Sequence, residues 1–280
     1  MEKSILVILA AWILSLPSPS AAQTCTDLGG LPGVHHLRLV SGDLTRDYLL
    51  DVPPNYDPTS PAPLIIDYHG HLSNAWQQWY LTDMPRHSRE RGFIVAHPNG
   101  DKRAWNDKIE HHTDGSTVDD VAFTLDLIDH ISADYCVDAD RIHAMGFSNG
   151  GHMSHRVGCD LADVFASVAP IAGVNTTSPC EPSRPMPVTQ VHGTEDPQVS
   201  YERGVSDNNS WAIRNGCDPE AVTVLESGET TCWAYERCDR GADVSMCSID
   251  SGQHWIYNTP RFSTTEWILD FFEAHPMWQP

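Results

Sequence analysis

One short stretch constrains this chain more than any other. The apolar run Ile142 to Phe147 enters Gly146-Phe147-Ser148-Asn149-Gly150, and a helix-forming run, Asn149 to Leu161, leaves it. Glycines two residues before and two after a serine let a strand and a helix approach without side-chain clashes, so Ser148 is expected on a sharp strand-to-helix turn. The rest of the chain repeats the alternation. Strands are predicted at Leu64 to Tyr68, Phe93 to Ala96, Ala166 to Ile171, Val188 to Val191, Val222 to Leu225 and Val244 to Ile249. Helices are predicted near Ser73 to Arg89, after a capping box at Ser116 and Asp119, and after Ser263, with Trp267, Ile268, Phe271 and Phe272 facing inward. On the Ser116 helix, Val118, Val121, Ala122, Leu125, Ile128 and Ile131 share one face at helical spacing. Before this series, His36 to Val40 and Arg46 to Val52 read as paired strands across Ser41-Gly42-Asp43. Strands alternating with helices require crossover connections, which predicts an α/β class with a mostly parallel central sheet and helices on both faces.

Ligands of such sheets bind at the carboxyl ends of the strands, and the chemistry-bearing residues fall there. A serine hydroxyl is a weak nucleophile and needs a base, itself oriented by an acid, in the order Ser, Asp or Glu, His for this architecture. His254 follows the strand Val244 to Ile249, and Asp196 follows Val188 to Val191 with Glu195 beside it as the competing acid. Each is equally a loop residue with structural hydrogen bonds only. An anionic tetrahedral intermediate needs two amide donors: that of Asn149, and that of His71 or Leu72 in the loop Tyr68-His69-Gly70-His71-Leu72. His69 reads as a turn residue. His152 and His155, and the pair His111-His112, have no third ligand at a recognisable spacing, so no metal and no other cofactor is expected.

Residues 1–22 read as a signal peptide, because Lys3 precedes an apolar run from Ile5 to Leu16 that is short for a span of roughly 20 residues. Residues 23–280 then form a single catalytic domain outside the cell. The eight cysteines, with no CxxC pair, imply disulfides rather than zinc in an exported chain, and permit 105 pairings. Asn175 and Asn208 head glycosylation sequons. A net charge of -21 disfavours nucleic acid and anionic membranes as partners.

Together, Gly146 to Gly151, His192-Gly193-Thr194-Glu195-Asp196 and Gly252-Gln253-His254-Trp255 resemble the carbohydrate-esterase group of feruloyl esterases and the related polyhydroxybutyrate depolymerases, from about Gly33 to Trp267. The resemblance implies an α/β-hydrolase fold and a secreted serine esterase with Ser148 as nucleophile, Asp196 as acid and His254 as base. Hydroxycinnamoyl esters of plant cell-wall polysaccharide are the implied substrate. Hydroxyalkanoate polyesters and acetylated xylan are alternatives, and an inactive hydrolase fold used for binding is a reading of another class. The segment His71-Leu72-Ser73-Asn74 departs from the Gly-rich or Cys-containing one of many relatives. Trp76, Trp79, Trp105 and Trp255 either line an aromatic acyl site or pack in the core and loops.

Overall fold

The computed structural model describes residues 25, 28–107 and 118–278, so the expected signal peptide, His111-His112 and Ser116 lie outside the described residues. The chain opens with an antiparallel hairpin, β1 (Gly33–Ser41) and β2 (Leu44–Val52), turned at Gly42 and Asp43 as its alternating pattern predicts. Then follow β3 (Ala62–Tyr68), α1 (Ala75–Leu81), α2 (Met84–Arg91), β4 (Ile94–Pro98), α3 (Asp120–Asp134), β5 (Val137–Phe147), α4 (Asn149–Asp160), β6 (Ser167–Ile171) and β7 (Val188–Gly193). The remainder comprises α5 (Tyr201–Arg214), β8 (Ala221–Ser227), β9 (Thr230–Tyr235), β10 (Val244–Ile249) and α6 (Thr264–Ala274).

One ten-stranded sheet has the order β1-β2-β4-β3-β5-β6-β7-β10-β9-β8. Its central strands β4, β3, β5, β6, β7 and β10 are parallel, and antiparallel pairs finish both edges. Alternation along a strand sends neighbours to opposite faces, and both faces are covered. Leu64 and Ile66 of β3 join a core with Phe123 and Leu127 of α3, Met153 and Val157 of α4, and Trp211 of α5. Ile65 joins the opposite core with Met84 of α2 and Ile268, Leu269 and Phe272 of α6.

The helix expected from Ser73 to Arg89 is two helices. Asp83 between them takes a left-handed φ of 49°, and Pro85, with no N–H to give, opens the second. The α3 cap is Asp119, whose side chain accepts from the Ala122 amide at 2.9 Å. Its buried face carries Phe123, Leu127, Ile128 and Ile131, while Leu125 is exposed. The helix presents a different face from the expected one, with Asp120 also buried, 3.0 Å from Arg46. At α6 the Ser263 hydroxyl accepts from the Glu266 amide at 3.2 Å, as the sequence predicts. Four disulfides, Cys25–Cys136, Cys159–Cys180, Cys217–Cys238 and Cys232–Cys247, use every cysteine. No helix of the described residues is long and apolar enough to cross a membrane.

Candidate active site

Ser148 occupies the junction of β5 and α4 with φ 57° and ψ -117°, a conformation an L-residue adopts only when its surroundings enforce it. The enforcement is visible. The Ser148 amide donates to the Ile171 carbonyl at the end of β6, and its carbonyl accepts the His152 amide, both at 2.9 Å. A Cβ on Gly146 would collide with the Gly150 carbonyl oxygen, and one on Gly150 with that of Tyr68. Both glycines are therefore demanded by close backbone approach, and the elbow stands at the carboxyl edge of the parallel strands.

Two further loops meet it there. After β10, His254 lies with its ring 4.7 Å from that of Phe147, the residue before Ser148. His254 Nδ1 is 2.6 Å from Asp196 Oδ2, on the loop after β7. Although burial opposes ionisation of Asp196, hydrogen bonds from the Val199 amide, His254 and the Gln198 amide hold its carboxyl below the ordinary aspartate range. Glu195 instead accepts from Gln253 Nε2 at 3.3 Å, at the surface. Of the two candidate acids, then, only Asp196 pairs with His254 among the described contacts.

The loop after β3 closes the other side. A Cβ on Gly70 would stand 3.5 Å from Ser148 Cβ, so this loop passes close beside the serine. His69 is fully buried, 2.7 Å from the Gly70 carbonyl through Nδ1, and its Nε2 accepts from the Gly100 amide at 3.0 Å. Burial lowers its imidazole to about 4, which leaves it a neutral brace rather than a proton carrier. Leu72 does not fit the expected donor role: its amide donates to the Arg103 carbonyl at 2.8 Å. Its place in a tight turn, with φ 59°, commits that N–H elsewhere. The buried side chain of Asn149 accepts from the Trp105 amide at 2.8 Å and donates to Asp107 at 2.6 Å. The elbow is thereby tied to the loop that follows β4.

His192 was not singled out as a site residue by its sequence context. It is buried beneath Asp196, with Nε2 3.3 Å from Asp196 Oδ2 and 3.0 Å from the Val199 carbonyl. Burial holds this imidazole below the usual histidine range, hence neutral. The available signal was its position at the end of β7, four residues before Asp196.

Other candidates sit elsewhere. His152 Nδ1 accepts from the Val174 amide at 2.8 Å, whereas His155 Nδ1 accepts from Trp211 Nε1 at 3.0 Å, so the helical pair has two separate structural partners. Among the described residues no group of three or more metal-ligating side chains is assembled. Trp105 is core, its Nε1 donating to the His69 carbonyl at 2.8 Å. Asn208, which heads the second sequon, is also buried, its Nδ2 donating to the Ser245 carbonyl at 2.9 Å, where an attached glycan would have no room. Asn175 is half-buried, its Oδ1 accepting the Thr177 amide.

Comparison with known proteins places the chain in a family. A model of the prolyl oligopeptidase family matches residues 76–181. Feruloyl esterase B of Piromyces equi is 34% identical over 75% of this chain, which spans 42% of that longer protein. Feruloyl esterase C of Emericella nidulans is 31% identical over 74% of this chain and 76% of its own length. Among solved structures, an acetyl xylan esterase from Aspergillus awamori superposes with a TM-score of 0.68 at 12% identity, covering 86% of this chain and 99% of that one. A feruloyl esterase module from Clostridium thermocellum, complexed with sinapinate, gives 0.57 at 13% identity, over 86% and 87%. The structural neighbours share the fold, and the sequence relatives go further: the chain belongs to the feruloyl esterase family of serine carboxylic ester hydrolases, with an α/β-hydrolase fold.

Proposed function

We propose that this protein is a secreted esterase that releases hydroxycinnamic acids from plant cell-wall polysaccharide esters, with residues 23–280 as one catalytic domain. The observation that carries the reading is the 2.6 Å contact of His254 Nδ1 with Asp196, beside a serine held at positive φ. The family relatives named as feruloyl esterases support the substrate class, and the four disulfides support an oxidising compartment.

In this mechanism the Ser148 hydroxyl attacks the ester carbonyl carbon while His254 Nε2 takes its proton, and Asp196 stabilises the imidazolium. The oxyanion accepts hydrogen bonds from the Asn149 amide, at the start of α4, and from the His71 amide, next to Gly70, whose added Cβ would reach 3.5 Å from Ser148. The imidazolium returns its proton to the departing sugar oxygen. Water then attacks the acyl-enzyme, His254 takes the water's proton and gives it to Ser148, and the free acid departs.

Ser148→Ala is expected to lower turnover of methyl ferulate on the order of 10⁶-fold, as nucleophile removal does in a triad that works as a unit. Undiminished hydrolysis by this variant refutes the mechanism. Parallel assays on short p-nitrophenyl esters, acetylated xylan and hydroxybutyrate oligomers test the acyl class: preference for any of these over methyl ferulate reassigns the substrate.

A further inference from the structure

Aromatic side chains that the mechanism does not use surround one flank of the site. Trp255, next to His254, is 54% exposed, and on α1 Trp76 and Tyr80 are 54% and 78% exposed. Trp79, on the same helix, is half-buried. Its ring is 5.9 Å from that of Trp76, and its Nε1 donates to Asp51 at 3.3 Å. Arg89 grips the same carboxylate through two hydrogen bonds of 3.1 and 3.0 Å, so the indole is held in one orientation. Trp79, Tyr80 and Trp255 line a single groove of about 540 Å³ between α1, α2 and the loop after His254.

Large aromatics left facing water around a groove mark a binding surface, since their desolvation is then available to a ligand. Chemistry within the groove narrows the ligand. Asp83 and Arg86 line it as an ion pair at 3.6 Å, and Arg89 is already neutralised by Asp51. The groove thus offers hydrogen-bonding groups with their charges compensated, on a protein whose net charge of -21 repels polyanions. A neutral chain with flat C–H faces and peripheral hydroxyls matches both properties. An acyl group fits less well, because Tyr80 and Trp255 project into solvent instead of walling off an apolar slot.

We propose that this groove binds the neutral polysaccharide that carries the ester, its sugar rings stacking on Trp79, Tyr80 and Trp255. The assignment of this glycan to the alcohol side of the cleaved bond rests on the esterase reading above; the binding itself does not. Unesterified xylohexaose is therefore the primary probe, titrated calorimetrically into the full-length protein, with oligogalacturonate as the anionic control. The expected result is binding of xylohexaose but not oligogalacturonate, weakened about tenfold or more by Tyr80→Ala, the loss of one stacking partner. In turnover, the ratio of kcat/KM on feruloylated xylo-oligosaccharide to that on methyl ferulate should fall by a similar factor in the same variant. Tyr80 is exposed, and unchanged circular dichroism checks that the fold persists. Failure of xylohexaose to bind, or equal binding by Tyr80→Ala, overturns the groove. So does self-association that Tyr80→Ala abolishes in the absence of xylohexaose binding, which reassigns the face to a second copy of the chain. Binding of xylohexaose without hydrolysis of any ferulate ester keeps the groove and removes the esterase reading instead.

Discussion

Glu195 and Asp196 are neighbours of nearly the same chemistry, yet their surroundings separate them. Asp196 receives two backbone amides and His254, while the Glu195 carboxylate meets Gln253 at the surface. Asp196→Asn should accordingly lower kcat about 10⁴-fold, because the amide no longer holds the imidazole in the needed tautomer. Glu195→Gln should change kcat no more than a few-fold. Steady-state kinetics on the pair decide the matter, and the reverse order of effects moves the acid to Glu195. The positions of Ser148, Asp196 and His254 after predicted strands were legible in the sequence, since each needs only the location of a strand end. The choice of acid rested on the family resemblance, and the contact of Asp196 with His254, the diversion of the Leu72 amide and the burial of Asn208 were not legible. Each depends on a partner distant in sequence, namely His254, Arg103 and Ser245.

At the scale of elements, the elbow was legible because its requirement is local. Two backbones cannot touch where a side chain intervenes, and Gly150 touches the Tyr68 carbonyl at the end of β3. Gly150→Ala should destabilise the protein by about 3 kcal/mol, the upper part of the overpacking range, because the obstacle is backbone that cannot rotate away. Urea unfolding measures this, and a loss below about 0.5 kcal/mol, typical of neutral surface changes, contradicts the packing account. Other elements were hidden. The inner face of α5 is Gly204, Asn208, Trp211 and Ala212, mostly small or polar, so an apolar template passes over it. In β9 the threonines at 230 and 231 weaken the alternation, although Cys232 and Tyr235 face inward. The break at Asp83 was obscured because Pro85 is also acceptable inside the first turn of a new helix.

Across the whole molecule, several histidines are buried as neutral groups. Burial lowers His143 and His155 to about 3 and His69 to about 4, while the unfolded chain titrates near the ordinary value of 6.5. Below about pH 6.5 the unfolded state therefore binds protons that the native state refuses. Their contribution to stability is complete above that pH and declines as pH falls toward 4. Each such histidine adds a slope approaching 1.4 kcal/mol per pH unit, on the order of one proton's linkage. Urea unfolding at pH 7, 6 and 5 should show this decline, and His155→Gln should make it shallower; an unchanged slope refutes the assignment to buried imidazole. The architecture also has a practical side. Cys136, bridged to Cys25, immediately precedes β5, and Ser148 immediately follows that strand of 11 residues, about 35 Å away along an extended chain. The Met277 amide donates to the Asp140 carbonyl near the start of the same strand. Both ends of the described chain are thus anchored at the pole away from Ser148. A bead, a cellulose film or a fused reporter attached through either one leaves the Ser148 side of the sheet facing outward, so the immobilised protein should keep its access to insoluble fibre.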